Sequence, residues 1–477
     1  MSEQEPDAVV VGSGPNGLSA AIVLAQAGRR VVLLEGNETA GGGLRTLELT
    51  LPGFRHDLCS AIHPLGVASP FLRSLDLAAQ GVRWVHPSAP LAHPLDDGTA
   101  VLLSRSLTET CDGLGAEDGA RYRRLLEPLT EDWQALLTDL LSPRGLIRHP
   151  VRHARFARVA ARSARDWADE FAGKRARALL AGLAGHSAIP LEFRPSAAIG
   201  LLLAVLGHGV GWPFPRGGAQ RLADGLAAIL LGLGGRVATG RPVRHLDDLP
   251  EAGIKLLSVT PGQLLKLAAD QLPRSYKRRL ARYRYGPGAF KVDWALSEPI
   301  PWRAPECRQA GTVHLGGTFE EIAAAELDAW KDRPPRRPFV LLAQHSLFDP
   351  GRAPRGRHTA WAYCHVPHAC GRDMTERLEA QVERFAPGFR DCILARSRLG
   401  PADMAALNPN LVGGDISGGA NTLRQILARP FPRLDPYGTP LPGVFLCSSS
   451  TPPGGGVHGM CGYHAARSAL EQVRPGI

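Results

Sequence analysis

Lysine is scarce in this 477-residue chain. Only six of its 55 basic residues are Lys (Lys174, Lys255, Lys266, Lys277, Lys291 and Lys331), and the other 49 are Arg. The bias, alongside abundant Ala, Gly and Pro, fits a GC-rich genome. Paired cysteines are missing too. Cys59, Cys111, Cys307, Cys364, Cys370, Cys392, Cys447 and Cys461 include no Cys-x-x-Cys, which argues against a zinc ribbon or a thioredoxin-type redox motif. Their scatter fits free thiols in a reducing cytoplasm. No signal peptide is expected, because residues 1–7 are acidic and polar and the apolar run from Ala8 stops at Gly12. No run is long enough to span a membrane. The longest uncharged stretch, Pro195 to Pro215, is broken in its second half by Gly207, His208, Gly209 and Gly211, short of the ~20 apolar residues required. It reads instead as a buried helix, Ser196 to Leu206, entering a loop. With 44% hydrophobic and 21% charged residues, disorder and collagen are excluded, and the length suits three domains or two large ones.

What is present begins with Asp7 to Val11, a short buried strand. Gly12-Ser13-Gly14-Pro15-Asn16-Gly17 follows, then an Ala-rich helix (Leu18 to Ala27) closed by Gly28, then a strand from Arg30 ending in Glu35. This is the full dinucleotide-binding context of strand, glycine turn, helix, strand and acid. Gly12 permits the turn and Gly14 lets backbone approach a pyrophosphate at the helix N-terminus. Gly17 lets helix and strand pack closely. Glu35 is placed to accept hydrogen bonds from a ribose 2′-hydroxyl and disfavours a 2′-phosphate, hence NADP. A second glycine turn, Gly41-Gly42-Gly43-Leu44-Arg45-Thr46, comes directly after. It suggests a long dinucleotide with a further ring system, which suits an isoalloxazine better than NAD.

Phe71 to Pro190 reads as mostly amphipathic helix. Within it, Arg144 to Ala178 holds ten basic and three acidic residues. Arg148, Arg152, Arg155, Arg158, Arg162 and Arg165 would form one basic face on a continuous helix, either docking on anionic lipid or simply solvated. Too few aromatics accompany them for a nucleic-acid site. Trp212 to Gly218 is a loop before a helix, Ala219 to Leu231. Gly234 to Leu246 and Leu256 to Thr260 are strands. Lys291 to Leu296 and Phe339 to Gln344 belong to a second, partly antiparallel sheet. Arg333 to Pro338 and Pro350 to Arg357 are solvated loops. Near the end come a strand (Val444 to Cys447), a glycine turn (Ser448 to Val457) and a helix (His458 to Val473) with a face of small residues. Ligand-type turns thus sit at both chain ends.

These motifs resemble the phytoene desaturase-like (phytoene dehydrogenase-related) branch of the flavin amine oxidase superfamily. The likeness is strongest in GSGPNG…LE…GGGLRT, in residues 50–65, in NPNLVGGDISGG (408–419) and in STPPGGGVHGMCGYHAA (450–466). It implies an α/β protein whose Rossmann-like FAD-binding domain is built from both chain ends, with an inserted α+β substrate domain holding a mixed sheet and helices. The corresponding boundaries are 1–75, 213–262 and 436–477 for the FAD domain. A helical, membrane-facing segment occupies 76–212, and the substrate sheet 263–435. It implies non-covalent FAD and dehydrogenation of a lipophilic small molecule by hydride transfer to flavin N5. Oxygen, a quinone or another species serves as electron acceptor, since no second strand–GxGxxG–helix unit offers a nicotinamide domain. By the same likeness Gly12, Gly14, Gly17, Glu35, Gly42, Gly43, Arg45, Val243, Ser449, Gly455, Gly456, Val457 and Met460 form the cofactor site, with Val243 at the adenine. Two positions depart from the pattern: Ser449 stands where many relatives have an acid, and Pro452 where many desaturases have His.

Lys291 is the first catalytic candidate, resembling a lysine placed near N5; the bland alternative pairs it with an acid at a sheet edge. His458 either touches substrate or caps the terminal helix. His56, Asp57 and His63 read mainly as supporting residues. His365 and His368 lack a third ligand, so no metal is expected. Cys461 reads as a small buried helix residue rather than a covalent flavin anchor. The competing functions are an amine or amino-acid oxidase, a ketolase or isomerase of the same branch, and a non-catalytic prenyl- or lipid-binding protein like the GDP-dissociation inhibitors. A cytoplasmic location with peripheral contact to anionic membrane is expected.

Overall fold

The structure, a computed structural model, describes residues 5–143, 149–151 and 153–473. Five short strands form a parallel sheet in the order Val444–Leu446, Ile254–Leu257, Ala8–Val11, Val31–Leu34, Arg236–Ala238. Three of these five strands are apolar and almost wholly buried, and Ile254–Leu257 departs only at the half-buried Lys255, as a parallel sheet covered on both faces requires. Helix Pro15–Gln26 packs on one face against the terminal helix Met460–Gln472. That contact is backbone on backbone, since a Cβ on Gly462 would overlap the Asn16 carbonyl; separately, a Cβ on Gly17 would overlap the Gly12 carbonyl of the preceding turn. The small face of the last helix, Ala465, Ala466 and Ala469, is fully buried.

The second sheet has seven strands in the order Ile393–Leu399, Gly288–Leu296, His358–Val366, Val340–Ala343, Ala310–Leu315, Ala89–Pro94, Ala100–Leu103. All neighbours are antiparallel except Ala310–Leu315 beside Ala89–Pro94. The fold is therefore α/β with one parallel and one mixed sheet.

Several expectations are corrected. The stretch 71–190 is not all helical, because residues 89–103 form a hairpin that completes the large sheet. Both of its strands are buried and apolar, a pattern that periodicity alone does not separate from buried helix. The strand expected over 234–246 shrinks to Arg236–Ala238, since Gly240 turns at φ 63° and Pro242 has no N–H for a ladder. The Pro350–Arg357 loop is not wholly solvated: Arg352 is 0% exposed, held by Asp57 and Asp349. Lys291 lies on an interior strand, not at a sheet edge.

The basic segment is not one helix. It breaks into Ala154–Ala160 and Ala164–Ala168, because Ser163 caps the second piece by accepting from the Asp166 N–H. Arg162 pairs with Glu170 and Arg165 with Glu192, which leaves Arg155 and Arg158 on the exposed surface. Arg148 and Arg152 lie outside the described residues.

Candidate flavin site

A cavity of about 930 Å³ runs from the carboxyl ends of the parallel strands to the inner face of the large sheet. At its first end the Gly12–Gly17 turn opens helix Pro15–Gln26. Gly14 has nothing within 4 Å of where a Cβ would stand, so its backbone faces open cavity at a helix N-terminus. A Cβ on Gly42 would lie 2.9 Å from the Gly14 Cα, so the two glycine turns touch. Gly12, Gly14, Gly42, Gly43, Glu35 and Val243 line this end. Gly17 does not; it lets the helix seat on the strand.

Glu35 is 6% exposed. Its Oε2 accepts from the Ser13 N–H (2.9 Å) and Oγ–H (2.6 Å), and its Oε1 from the Asn37 N–H (2.9 Å) and Nδ2–H (2.8 Å). Burial alone would raise its pKa, but these donors outweigh it and hold the carboxyl below its ordinary value. Arg45 sits behind the wall, donating to the Gly42 carbonyl (3.1 Å), Asn37 Oδ1 (3.0 Å) and the Leu407 carbonyl (3.1 Å). It braces the second turn rather than facing the cavity.

The far end of the dinucleotide path is the last glycine turn. Ser449, Gly455, Gly456 and Val457 line the cavity. Met460 is buried behind that wall and donates its N–H to His458 Nδ1 at 3.0 Å. Ser69 Oγ donates to the His458 carbonyl at 2.6 Å. The structure thus places His458 as a cap of the terminal helix, off the cavity wall. The physical reason is that Gly459, at φ 70°, turns the chain so that the imidazole folds back on the first helical N–H. Cys461 Sγ points at the carbonyls of Gly454 and Thr451.

One residue of this end escaped sequence reasoning. Arg429 is 2% exposed and lines the cavity. It donates to the carbonyls of Ser417 (3.3 Å), Ser449 (3.0 Å) and Gly419 (3.1 Å) and to Asn421 Oδ1 (2.6 Å). Among the described residues no carboxylate forms a salt bridge with it. The buried Asp415 lies near enough to feel its charge but makes no direct pair with it, so this guanidinium, bonded to neutral oxygens, suits an anionic group of the cofactor. Only an arginine count in an Arg-rich chain announced it.

Beyond the turns stands the face of the large sheet. Period-two alternation sends Phe290, Val292 and Trp294 into the core and Lys291 and Asp293 to the other side, in register with Tyr363 and Trp361. Lys291 is 2% exposed, lines the cavity, and donates to Asp293 Oδ2. Its Nζ is 5.6 Å from the Trp361 ring centroid. Burial raises Asp293 to about 6 despite the neighbouring ammonium. His56 Nδ1 is 3.5 Å from Asp293 Oδ1, and burial, reinforced by Lys291, holds this imidazole at about 3. Lys291 is therefore acid-paired, though not at a sheet edge, and it also lines the cavity.

Asp57 serves as a hub. It accepts from Thr46 Oγ1 (2.7 Å) and the Ala219 N–H (2.8 Å) and pairs with Arg352 (3.0 Å). His63 lines the cavity, is 1% exposed, and neither ring nitrogen has a hydrogen-bond partner. Burial holds it at about 4, hence neutral near pH 7. His365 pairs with Glu326 at 2.8 Å and His368 bonds the Gly286 carbonyl at 3.0 Å, so the two do not converge.

The residues fit FAD. Two touching glycine turns at a helix N-terminus suit a diphosphate, Glu35 a ribose, and the last turn a flavin ring. Glu35→Gln keeps the shape but weakens the charge-assisted hydrogen bonds worth ~1.5–3 kcal/mol. FAD affinity is expected to fall by about 10- to 150-fold, measured by fluorescence titration of the deflavinated protein.

The buried histidines also set an acid limit. Burial holds His56 at about 3 and His63, His93, His208 and His458 at about 4, against 6.5 when unfolded. Below pH 6.5 the unfolded chain therefore binds more protons than the folded one, and stability falls as pH falls. His365, raised by Glu326 against the effect of burial, opposes the trend, as does Asp293, which burial raises to about 6, but the lowered histidines, His186 and His345 at about 3 among them, outnumber these two. The melting temperature is expected to drop between pH 6.5 and pH 4.5 in a thermal scan across pH.

Known proteins agree with this geometry. Pyridine nucleotide-disulfide oxidoreductase domain-containing protein 2 of Mus musculus is 25% identical over 556 residues, covering 98% of this chain and 94% of that protein. Phytoene dehydrogenase of Streptomyces griseus is 25% identical over 417 residues, covering 81% and 77%. The fold matches a crystal structure of an oxidoreductase from Methanosarcina mazei with a TM-score of 0.65 at 16% identity, covering 97% and 99%. Residues 16–470 match the flavin containing amine oxidoreductase profile, and the chain belongs to that family of FAD-dependent oxidoreductases.

Proposed function

We propose that this flavoprotein dehydrogenates a lipophilic, uncharged small molecule, in the manner of the phytoene dehydrogenase-like branch. The observation that carries the reading is the cavity's continuity. The cofactor wall passes without a break into an apolar chamber lined by Leu140, Leu141, Phe156, Ile199, Leu202 and Leu203. Charge favours a neutral substrate over an amine. Among the residues lining the cavity Glu35 is the sole carboxylate, and it is engaged by Ser13 and Asn37 at the ribose end. A substrate ammonium would find Lys291 and Arg429 and no counter-ion.

FAD, when bound, supplies acceptance of two electrons from the substrate. The chain's own residues do the rest. The apolar walls exclude water and orient the substrate by shape. Asp293 fixes the Lys291 ammonium at the sheet face, where it holds charge or a water beside the reacting region. Lys291→Met is expected to retain FAD and lower the rate of flavin reduction by ~10²–10⁴, with Asp293 turning neutral in place of the lost pair. Anaerobic stopped-flow with a substrate found by screening an isoprenoid and lipid extract measures this. Unaltered reduction rates refute the role of Lys291, and reduction by amines alone refutes the lipophilic reading.

The substrate class implies a route from a membrane. Helix Leu423–Leu427 has no buried residue, and its Leu423, Ile426 and Leu427 are exposed while also lining the cavity. Helix Ala154–Ala160 lines the same cavity through Phe156, Ala157 and Ala160 and carries exposed Arg155 and Arg158. Among the described residues no helix is long and apolar enough to cross a membrane, so the contact is peripheral. Leu423→Asp with Leu427→Asp is expected to abolish sedimentation with phosphatidylglycerol vesicles while leaving FAD content intact. Binding unchanged by these substitutions refutes this rim as the contact.

A further inference from the structure

A cluster outside the flavin cavity joins helix Trp133–Leu140 to helix Ala154–Ala160. Asp139, in the last turn of the first helix, is 2% exposed, and His153, directly before the second, is 1% exposed. His149 is half exposed. His149 Nδ1 lies 3.3 Å and His153 Nε2 3.2 Å from the same oxygen, Asp139 Oδ2, and one ligand atom from each residue falls within 4.8 Å of the others. The His149 N–H also donates to that oxygen at 3.2 Å.

His153 Nε2 is the telling atom. It is buried, aimed at the carboxylate, and makes no hydrogen bond. A buried nitrogen without a bond is what an imidazole presents to an ion. The spacing agrees: bonds of ~2.0–2.1 Å in tetrahedral geometry place neighbouring ligand atoms about 3.3 Å apart.

We propose that Asp139, His149 and His153 form a divalent transition-metal site with Zn²⁺ as its fitting occupant. Two imidazoles and one carboxylate suit a borderline ion, whereas Ca²⁺ and Mg²⁺ take oxygen ligands. The exposed flank of His149 provides the entry path and leaves a position for water. The three ligands are separated by ten and four residues; His149-x3-His153 is a spacing found in zinc sites, but only the fold brings the Asp139 carboxylate to the pair.

The site's place gives it a consequence. Leu140 and Leu141 follow Asp139, Phe156 and Ala157 follow His153, and all four line the cavity. An ion here ties two walls of the apolar chamber together and stiffens the connection between them. The proposal is independent of which substrate the chamber takes.

Zn²⁺ alone is the probe. Chelator-treated, FAD-loaded protein is titrated with Zn²⁺, with Co²⁺ in parallel for the visible bands of a tetrahedral ion beyond the flavin absorption. Saturable binding of one Zn²⁺ per chain is expected, with slower limited proteolysis of the chain. His149→Ala alters an exposed residue and His153→Gln a buried one. Each is expected to weaken Zn²⁺ binding at least tenfold, about the effect of losing even an outer-shell partner, and His149→Ala to abolish the protection. Absence of saturable uptake, uptake that His149→Ala leaves unchanged, or equal competition by Ca²⁺ overturns the site.

Discussion

Close backbone approach is the constraint on which the rest of the structure depends. Gly42 rests on Gly14, Gly17 on the Gly12 carbonyl, and Gly462 on the Asn16 carbonyl. Each contact forbids a Cβ, and together they draw residues from positions 12 to 462 into one surface. A long anionic cofactor needs such a surface, because N–H groups reach it only where side chains are absent. The five-stranded sheet supplies rigidity beneath the turns.

Charge on the large sheet follows a second logic. Lys291, Asp293 and His56 are all buried, as are Asp57, Arg352 and Asp349. Buried charges persist only in well-bonded pairs. The Asp57–Arg352 pair ties the segment after the second glycine turn to the loop at 349–352. Lys291 belongs to the adjoining pair but also faces the cavity, which gives the site a charge that is positioned without being spent. His458 shows the contrary outcome: a histidine inside the flavin-turn motif that serves the helix behind it.

The apolar chamber explains the family's breadth in this chain. Its walls come from helices that share no motif with the cofactor turns. Leu202, Leu203, Phe156 and Leu427 line it, and under the proposed function such walls would select by shape while the flavin frame stays constant.

Local pattern was enough to determine the dinucleotide frame. Gly12, Gly14, Gly17 and Glu35 lie within one strand–turn–helix–strand unit, where the backbone demands of each residue are set by immediate neighbours. The terminal helix and its small face were legible for the same reason. Tertiary structure alone decided what long-range packing controls. Residues 89–103 became strands because Ala310–Leu315, 221 residues further along the chain, accepts Ala89–Pro94 as its neighbour, and the Arg-rich segment broke because Ser163 caps a new helix there. Arg352, in a loop that reads as solvated, is buried by two acids, one of them 295 residues distant in sequence. Arg429 reached the flavin turn through a fold that no local period announces. Period and spacing report on neighbours in sequence; a buried charge is specified by neighbours in space.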